Sequence, residues 1–439
     1  MRSQLEAFLV LRRNPLELWG EAAYEEMVVE SRFLGRSQVL VNDPDAIRRV
    51  LVDNHENYGR GLGAQRVLRP VLGTGLFLAE GKAWRHQRRT IAPTLAPRMM
   101  PMLARHVVTA TAAAEDTLAG VGTRPVELLP HLQHLALAIA SQSMFSLESA
   151  GFGAALRALL LRYAARLAQP GILDLLLPAR VPSPLDLRRG AFRQEWLASI
   201  DRIIDAREAL SRDETDTPRD LFDALAAARD PDTGEGFSRA QLRDEVATMI
   251  LAGHETTAVT LFWSCWLLAR FPEHADRIAA EAAAADLTPE GAAASVKTLV
   301  HTRAFVDEAM RMYPPAFLLV RQARGPDVLA GVDVGAGTVV SVVPWVLHRH
   351  RALWDDPDAF DPARFMPGAP PAPRYAYMPF GAGPRICVGA QFALTEAVLV
   401  LARLARRFRL GFSGSGAVMP RGFITTQPDR PVRFILRPR

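Results

Sequence analysis

The chain has 439 residues, of which 49% are hydrophobic and 23% are charged, so a sizeable apolar core can form. The formal net charge is +5, but Lys82 and Lys297 are the only lysines, and the absence of a basic stripe interleaved with aromatic residues excludes a typical nucleic-acid-binding surface. The two cysteines exclude a disulfide framework and favour a reducing, cytoplasmic compartment, and no apolar run is long enough and free enough of charge to predict a membrane span.

The first predicted elements are a strand and two helices. The run "SQVLVND", residues 37–43, has the composition of a strand, and Asp43 followed by Pro44 is a typical helix start. Further on, "WRHQRR" places Trp84 and Arg88 four residues apart on one helical face. The simpler interpretation is a basic amphipathic helix; the alternative is a pair of donors directed at a carboxylate.

A long central helix is predicted next. Ser238 and Gln241 form a capping box after a turn-rich loop at residues 229–237, and Pro272 stops the helix after Phe271. At 1.5 Å per residue this helix is roughly 50 Å long. It includes Cys265, in an apolar run that predicts a core cysteine.

The middle of that helix breaks the local rules. It has the sequence "AGHETT", residues 252–257, and a glycine inside a helix costs about 1 kcal/mol relative to alanine. Such a violation often marks a functional site. One interpretation is a groove in which Glu255 and Thr256 handle protons; the other is a solvated acid in a cleft.

Another helix carries "EAMR", with Glu308 and Arg311 three residues apart, and ends before Pro314. If exposed, such a pair contributes little to stability. If buried, it needs further hydrogen bonds, which Arg364 of "PARF" is positioned to supply. Between these motifs, residues 327–345 are predicted to form short strands around a turn at Gly335–Gly337.

The most unusual stretch is "FGAGPRICVG", residues 380–389. Glycines allow the backbone to approach another group closely, Cys387 offers a nucleophile or a metal ligand, and Arg385 indicates an anion nearby. The Gly-Lys-Ser/Thr of a phosphate loop is missing. A catalytic thiol would need a histidine base, and no histidine is near in sequence, although a distant one could serve.

Together these motifs resemble those of the cytochrome P-450 superfamily, the haem-thiolate monooxygenases, over about residues 43–437. Residues 380–389 match every fixed position of Phe-x-x-Gly-x-Arg-x-Cys-x-Gly. The other motifs correspond to the oxygen-activating sequence of helix I, the Glu-x-x-Arg of helix K and the Trp-x-x-x-Arg of helix C. "FDPARF" resembles the Pro-Glu-Arg-Phe segment, with Ala363 in place of its glutamate. The resemblance is to the bacterial branch closest to the eukaryotic members.

The resemblance implies a mainly α fold with a small β part (α+β), a helix-rich triangular prism around helix I. It also implies that residues 1–439 form one domain without a fused reductase, with the β-rich part mainly from about residues 30–60 and 315–345.

The resemblance also implies roles for individual residues. Cys387 would be the axial ligand of haem b iron, in a loop shaped by Phe380, Gly383 and Gly389. Gly253 would leave room for the co-substrate O2, while Thr256 and Glu255 deliver protons. The groups implied to bind the haem propionates are Trp84, Arg88, Arg321 and Arg385. The implied structural triad is Glu308, Arg311 and Arg364. The implied substrate pocket contains Ala252, Ala316, Phe317, Leu318, Leu319, Ile424 and Thr425, together with residues 71–81 and 423, and the apolar residues 171–178 would lie near its lid.

The implied activity is insertion of one oxygen atom of O2 into a C–H bond of a hydrophobic, medium-to-large molecule, such as a fatty acid, a terpenoid or a steroid-like compound. Electrons would come from a separate ferredoxin and its NAD(P)H-dependent reductase, and the enzyme would be a cytoplasmic monomer. The alternatives are a haem-thiolate peroxygenase or isomerase, and a non-catalytic haem sensor.

Overall fold

The structure is a computed structural model that describes residues 4–146, 153–177, 181–209 and 218–439. The α-helices are α1 (Gln4–Arg13), α2 (Ala22–Glu25), α3 (Pro44–Arg48), α4 (Leu62–Leu72), α5 (Gly81–Ile91), α6 (Met100–Val121), α7 (Leu128–Phe145), α8 (Gly153–Arg166), α9 (Ile172–Leu176), α10 (Pro184–Glu208), α11 (Leu221–Ala227), α12 (Arg239–Arg270), α13 (Pro272–Ala284), α14 (Ala292–Ser295), α15 (Val300–Met312), α16 (Pro344–Leu347) and α17 (Ala390–Arg407). Within these described ranges no helix combines the length and the hydropathy that a bilayer crossing requires.

The strands are short. They are β1 (Val28–Phe33), β2 (Arg36–Val41), β3 (Tyr58–Arg60), β4 (Val126–Glu127), β5 (Leu319–Ala323), β6 (Asp327–Leu329), β7 (Val332–Val334), β8 (Val339–Val342), β9 (Phe408–Phe412), β10 (Pro420–Gly422), β11 (Thr426–Pro428) and β12 (Arg433–Pro438). A mainly helical fold with small separate sheets agrees with the predicted α+β class.

The largest sheet has five strands in the order β1-β2-β8-β5-β3. The β2–β8 pair is parallel and the other neighbours are antiparallel. In the β3–β5 pair, Arg60 lies directly opposite Arg321. Strands far apart in sequence thereby bring two like charges together.

The region of predicted short strands, residues 327–345, contains a second turn that the sequence analysis did not predict. β6 and β7 form a hairpin through Ala330 and Gly331, which have φ values of 46° and 84°. Sequence patterning indicated only the turn at Gly335–Gly337, because an alanine in the left-handed region leaves no sequence signal.

The long helix α12 begins and ends where its sequence predicts. Gln241 N donates to Ser238 Oγ at 3.3 Å, and Ser238 N donates to Gln241 Oε1 at 2.9 Å. The helix runs to Arg270, before Pro272. It packs against α7 and α17, which makes it the central element of the fold.

Two hydrophobic clusters meet along α12. Its first half, including Val246 and Ile250, belongs to a cluster with α4, α8 and α10, and its second half, from Val259 to Leu268, belongs to one with α6, α7 and α17. Residues 252–257 belong to neither cluster. The "AGHETT" motif therefore lies at the junction of the two cores.

The loop of residues 380–389 ends where α17 begins. Cys387 N donates to Phe380 O at 2.9 Å, which closes the loop. Gly383 has φ +73°, and a Cβ there would lie 2.1 Å from Leu51 O. Only glycine fits such a contact, so the loop is fixed against the segment before β3.

Candidate functional site

Cys387 precedes α17 by three residues, and its side chain is accessible to solvent. Burial by the surrounding chain raises the pKa of the thiol, while the N–H of Gly389 and the guanidinium of Arg88 act in the opposite direction. Arg88 is held in the loop by a 2.8 Å hydrogen bond from its Nη1 to Ile386 O. A cation bound to the sulfur would favour the thiolate further.

Three arginines converge near this loop. Burial, together with repulsion from Arg321 and Arg385, lowers the pKa of Arg60 to about 9. Burial and repulsion from Arg385 likewise lower the pKa of Arg321 to about 10. Like charges opposite each other destabilise a strand pair. In the described chain the buried Nε of Arg60 has no hydrogen-bond partner, so the cluster has the character of an anion site.

Trp84 lies in the same region. The guanidinium carbon of Arg385 is 4.6 Å from the centroid of its ring, and Arg385 Nη1 donates to Ala79 O at 2.9 Å. The predicted donors therefore form two neighbouring groups: Arg321 and Arg385 near Trp84, and Arg88 beside the thiol. Sequence analysis missed Arg60, because "YGR" is too short to predict a strand and its partner lies about 260 residues away.

On α12, Ala252 and Gly253 are exposed, whereas the flanking turns are mostly buried. Thr256 Oγ1 donates to Ala252 O at 2.6 Å, so the hydroxyl oxygen keeps its lone pairs available as acceptors. Between Leu242 and Leu268 of this helix, Ala252 and Gly253 are the only exposed residues.

Glu255 is held by two amides. Gln427 Nε2 donates to its Oε1 at 2.6 Å, and Gln133 Nε2 lies 3.4 and 3.3 Å from its two oxygens. Burial raises the pKa of Glu255. Burial also lowers the pKa of the adjacent His254 to about 4, so this histidine is neutral. Among the described residues, Glu255 is not hydrogen-bonded to Thr256.

Partly buried apolar side chains from four segments pack against the cluster that includes the first half of α12. They are Leu76, Leu78, Leu251, Val388, Phe423 and Ile424. Val388 follows Cys387 directly, and Leu251 precedes the exposed turn of α12. These side chains form a partly buried apolar surface beside the thiol loop, α12 and the β10–β11 hairpin. This surface corresponds to the wall of the substrate cavity that the sequence resemblance implies, and it is called the cavity wall below.

The predicted pocket residues differ in how much of each is exposed to solvent. Ala316 is exposed, Leu318, Leu319 and Ile424 are partly buried, and Thr425 is buried with its Oγ1 lacking a partner in the described chain. Of the predicted segment 171–178, residue 178 lies outside the described residues.

Phe317, which the resemblance places in the substrate pocket, is buried in another part of the structure. It is only 6% exposed and packs in a separate cluster that includes Leu16 and Trp345. Because its side chain turns into that cluster, its placement argues against a role in lining the pocket.

The pair Glu308–Arg311 is fully buried. Arg311 Nε and Nη2 donate to the two carboxylate oxygens at 2.6 and 2.8 Å. Arg364 Nε is 3.7 Å from Glu308 Oε1, with 17% of its side chain exposed. The three residues are close together, but Arg364 is peripheral.

Two further buried acids had no sequence signal. Burial raises the pKa of Glu396 on α17 to about 8, against an opposing hydrogen bond from Thr257. Burial likewise raises the pKa of Glu245 to about 8. Their partners are distant in sequence, so only the fold identifies them.

Asp244 and Glu245 bind the loop before α5. Thr74 N donates to Asp244 Oδ2 at 2.8 Å, and Leu76 N lies 3.0 Å from Glu245 Oε2. A Cβ on Gly73, which has φ +57°, would lie 2.2 Å from the Asp244 carboxylate. The loop that carries Leu76 and Leu78 is therefore fixed against α12.

The family model for Cytochrome P-450 matches residues 21–431. Cyclooctatin synthase of Streptomyces melanosporofaciens is 31% identical over 436 residues, which cover 98% of this chain and 93% of that protein. The cyclooctat-9-en-7-ol 5-monooxygenase of the same organism is 30% identical, over 92% and 86% of the two chains. The crystal structure of the haem domain of cytochrome P-450DA has a TM-score of 0.81 at 24% identity, over 94% of this chain and 90% of that one, and shows the same fold. The chain therefore belongs to the cytochrome P-450 family and is a monooxygenase.

Proposed function

We propose that this monooxygenase hydroxylates a C–H bond of a hydrophobic, medium-to-large, terpenoid-like substrate, with haem b bound through Cys387 and electrons drawn from a separate ferredoxin system. The observation that carries the proposal is the accessible Cys387 thiol before α17, beside an arginine cluster and an apolar cavity wall.

The residues present fit haem b. Its two propionates would compensate the repulsion among Arg60, Arg321 and Arg385, and would give the unpartnered Nε of Arg60 an acceptor. The accessible thiol of Cys387 is a soft ligand suited to iron. When bound, the haem supplies the activation of O2 and the transfer of one oxygen atom to the substrate.

The protein supplies the ligand, the charges and the protons. Cys387 would bind as the thiolate, with the N–H of Gly389 and the charge of Arg88 stabilising the sulfur anion. Thr256 would accept or donate a hydrogen bond in the cavity through its hydroxyl. Glu255 would hold a proton at its carboxyl and pass it toward that hydroxyl. Gly253 adds no side chain to the exposed turn of α12 that precedes them.

The substrate class is supported by the cavity wall and by the relatives. The wall is made of aliphatic and aromatic side chains, which favours a ligand with few polar groups. One relative is named for oxygenating cyclooctat-9-en-7-ol. We infer that a cyclic, terpenoid-like molecule fits better than a fatty acid, although a steroid-like molecule shares the same chemistry.

The electron source is proposed to be a ferredoxin with an NAD(P)H-dependent reductase, bound by arginines of α5 and α17. The net charge of +5 supports attraction of an acidic partner. Several of these arginines already pair with acids of this chain, such as Arg85 with Glu56 and Arg407 with Asp116. The electrostatic attraction between these arginines and an acidic ferredoxin would therefore be weaker than their number in the sequence suggests.

The deciding experiment is reconstitution with a ferredoxin, its reductase and 18O2. A library of terpenoids, steroids and fatty acids is screened by the spectral shift of the ferric protein and then by product analysis. Substrate-dependent NAD(P)H oxidation with one 18O atom in the product is expected. Oxygenation driven only by peroxide would favour the peroxygenase alternative, and binding without turnover would favour a sensor.

A further inference from the structure

Gln427 makes the closest polar contact of Glu255. Its Nε2 lies 2.6 Å from Oε1, whereas the bonds from Gln133 are 3.3 and 3.4 Å long. Among the residues that the structure describes, the ionisable groups around the carboxyl are Arg157 of α8 and His254 of α12, whose Nδ1 is 3.8 Å from Oε2. The acid is therefore held by a neutral amide and not by a cation.

An amide suits both protonation states of a carboxyl. Its NH2 group donates to a carboxylate, and after rotation by 180° its oxygen accepts from a carboxylic acid. An arginine in this position would favour only the ionised form. A group that gains and loses a proton in each turnover needs a partner that stays bonded to both forms.

Gln427 also occupies a fixed position next to the pocket. It belongs to β11, whose neighbouring residue Thr426 accepts a 2.7 Å hydrogen bond from Trp263 Nε1 and donates one of 2.6 Å to Pro314 O. The hairpin turns through residues 423–425, and Ile424 at its tip contributes to the cavity wall. The hairpin that borders the substrate thus also carries the partner of the acid.

We propose that Gln427 is a positioning residue of the proton relay: it holds the Glu255 carboxyl in both protonation states, on the hairpin that borders the substrate. The inference rests on the proposed function, because only oxygen activation gives Glu255 protons to deliver.

The test is an infrared titration of the ferric holoprotein. The carbonyl stretch of protonated Glu255 is identified by its loss in Glu255→Gln and followed against pH in Gln427→Met, which keeps the length but removes the amide. Gln427 can bond to both forms, but its hydrogen bond to the charged carboxylate is about twice as strong as the bond to the neutral acid, so its loss should raise the pKa of Glu255 by about 1 unit. Gln133→Met is the matched control: Gln133 contacts both carboxyl oxygens, but at 3.4 and 3.3 Å, so its loss should raise the pKa of Glu255 less than the loss of the 2.6 Å bond from Gln427.

Turnover is measured in the same variants. In Gln427→Met the basic limb of the pH–rate profile should move to higher pH by the shift found in the titration, because Glu255 delivers its proton from the protonated form, and less product should form per NAD(P)H. Gln427→Glu is the second variant, in which a like charge beside Glu255 should also raise its pKa. The carbon monoxide spectrum of each reduced variant checks that haem is bound as in the parent.

A shift in Gln427→Met no larger than that in Gln133→Met would overturn the proposal. So would slower turnover with an unchanged titration, since that pattern belongs to a structural role. If the parent oxygenates nothing in the reconstituted assay, the proposed function fails, while the titration still decides whether Gln427 controls the protonation of Glu255.

Discussion

Cys265 and Cys387 have the same side chain and opposite surroundings. Cys265 is fully buried, and burial raises the pKa of its thiol to about 12. Cys387 is accessible, and although the surrounding protein raises the pKa of its thiol, the N–H of Gly389 and the charge of Arg88 act against that rise. Only Cys387 therefore offers an accessible sulfur on which a bound metal ion would stabilise the thiolate.

We therefore expect Cys387→Ser to abolish the strongly red-shifted Soret band of the reduced, carbon monoxide-bound protein, because an alcohol does not replace the thiolate. Cys265→Ala should retain the band and lose only about 1 kcal/mol of stability or slightly more through a small cavity. Absorption spectra of both variants at equal haem content provide the check. Loss of the band in Cys265→Ala alone would contradict the assignment.

Thr256 differs from its helical neighbours because its hydroxyl faces an accessible turn. We expect Thr256→Ala to bind haem and substrate normally but to yield about tenfold less product per NAD(P)H, with hydrogen peroxide rising to match. The reason is that protons would no longer be positioned by the hydroxyl. Product, cofactor and peroxide are quantified together, and Thr256→Ser, which keeps the hydroxyl, is the control. If Thr256→Ala forms as much product per NAD(P)H as the parent, then water or the substrate positions the protons instead of Thr256.

At the scale of elements, Arg311 joins α15 to the segment that follows α16. Besides binding Glu308, it donates to His348 O, Pro357 O and Ala359 O at 2.8, 2.7 and 2.8 Å. Its removal would leave several buried acceptors and one buried carboxylate without a partner.

Arg311→Ala and Glu308→Ala should each cost about 3–5 kcal/mol and give little haem-loaded protein. Arg364→Ala should cost about 1 kcal/mol, since that side chain is partly exposed and its Nε is 3.7 Å from the carboxylate. Denaturant unfolding and haem content are the measurements. An equal loss of stability in the three variants would mean that Arg311 and Arg364 stabilise the Glu308 carboxylate more equally than their distances from it indicate.

The loop of residues 73–78 is the other junction between elements, and Asp244 fixes it. Asp244→Ala removes the acceptor of Thr74 N and Thr74 Oγ1, which lie 2.8 and 3.0 Å from Oδ2. We expect about tenfold weaker binding of an apolar ligand in a spectral titration, because the loop must then be ordered upon binding. Asp244→Asn keeps an acceptor and should stay within about threefold of the parent; weakening as large as in Asp244→Ala would show that the negative charge matters instead.

For the whole molecule, buried ionisable groups determine how stability depends on pH. Glu245 and Glu396 have pKa values of about 8 in the folded protein, above the ordinary 4.5, so their contribution is lost as pH rises through 8. Burial lowers the pKa of His254 to about 4 and that of His348 to about 3, from 6.5. The histidines contribute stability above pH 6.5 that is lost as pH falls.

Of these four groups, the two acids cause most of the change in the free energy of unfolding between pH 6.5 and 8.5. We expect the free energy of unfolding to fall by roughly 1–3 kcal/mol over this range. Glu396→Gln cannot ionise in the folded or the unfolded state, so it should be more stable than the parent near pH 6.5, and its stability should decline less steeply up to pH 8. Denaturant titrations at several pH values test this, and identical slopes would mean that Glu396 is ionised in the folded protein.

What the sequence could predict depended on how local each feature is. α12, its caps and the loop around Cys387 are specified by neighbouring residues, so spacing was sufficient to identify them. Arg60, Glu245 and Gln427 acquire their roles from partners more than a hundred residues away, and spacing carries no information about such pairs. Phe317 packs in the cluster that includes Leu16 and Trp345, and spacing could not indicate this because side-chain direction follows from the packing.

The β3–β5 pair has a consequence for assembly. Arg60 opposite Arg321, with Arg385 beside them, concentrates positive charge that Glu80 only partly compensates. A bound dianion would relieve the remaining repulsion, so anion binding and the pairing of these strands would favour each other. We therefore expect proteases to cleave this sheet edge more slowly in the haem-loaded protein than in the haem-free protein.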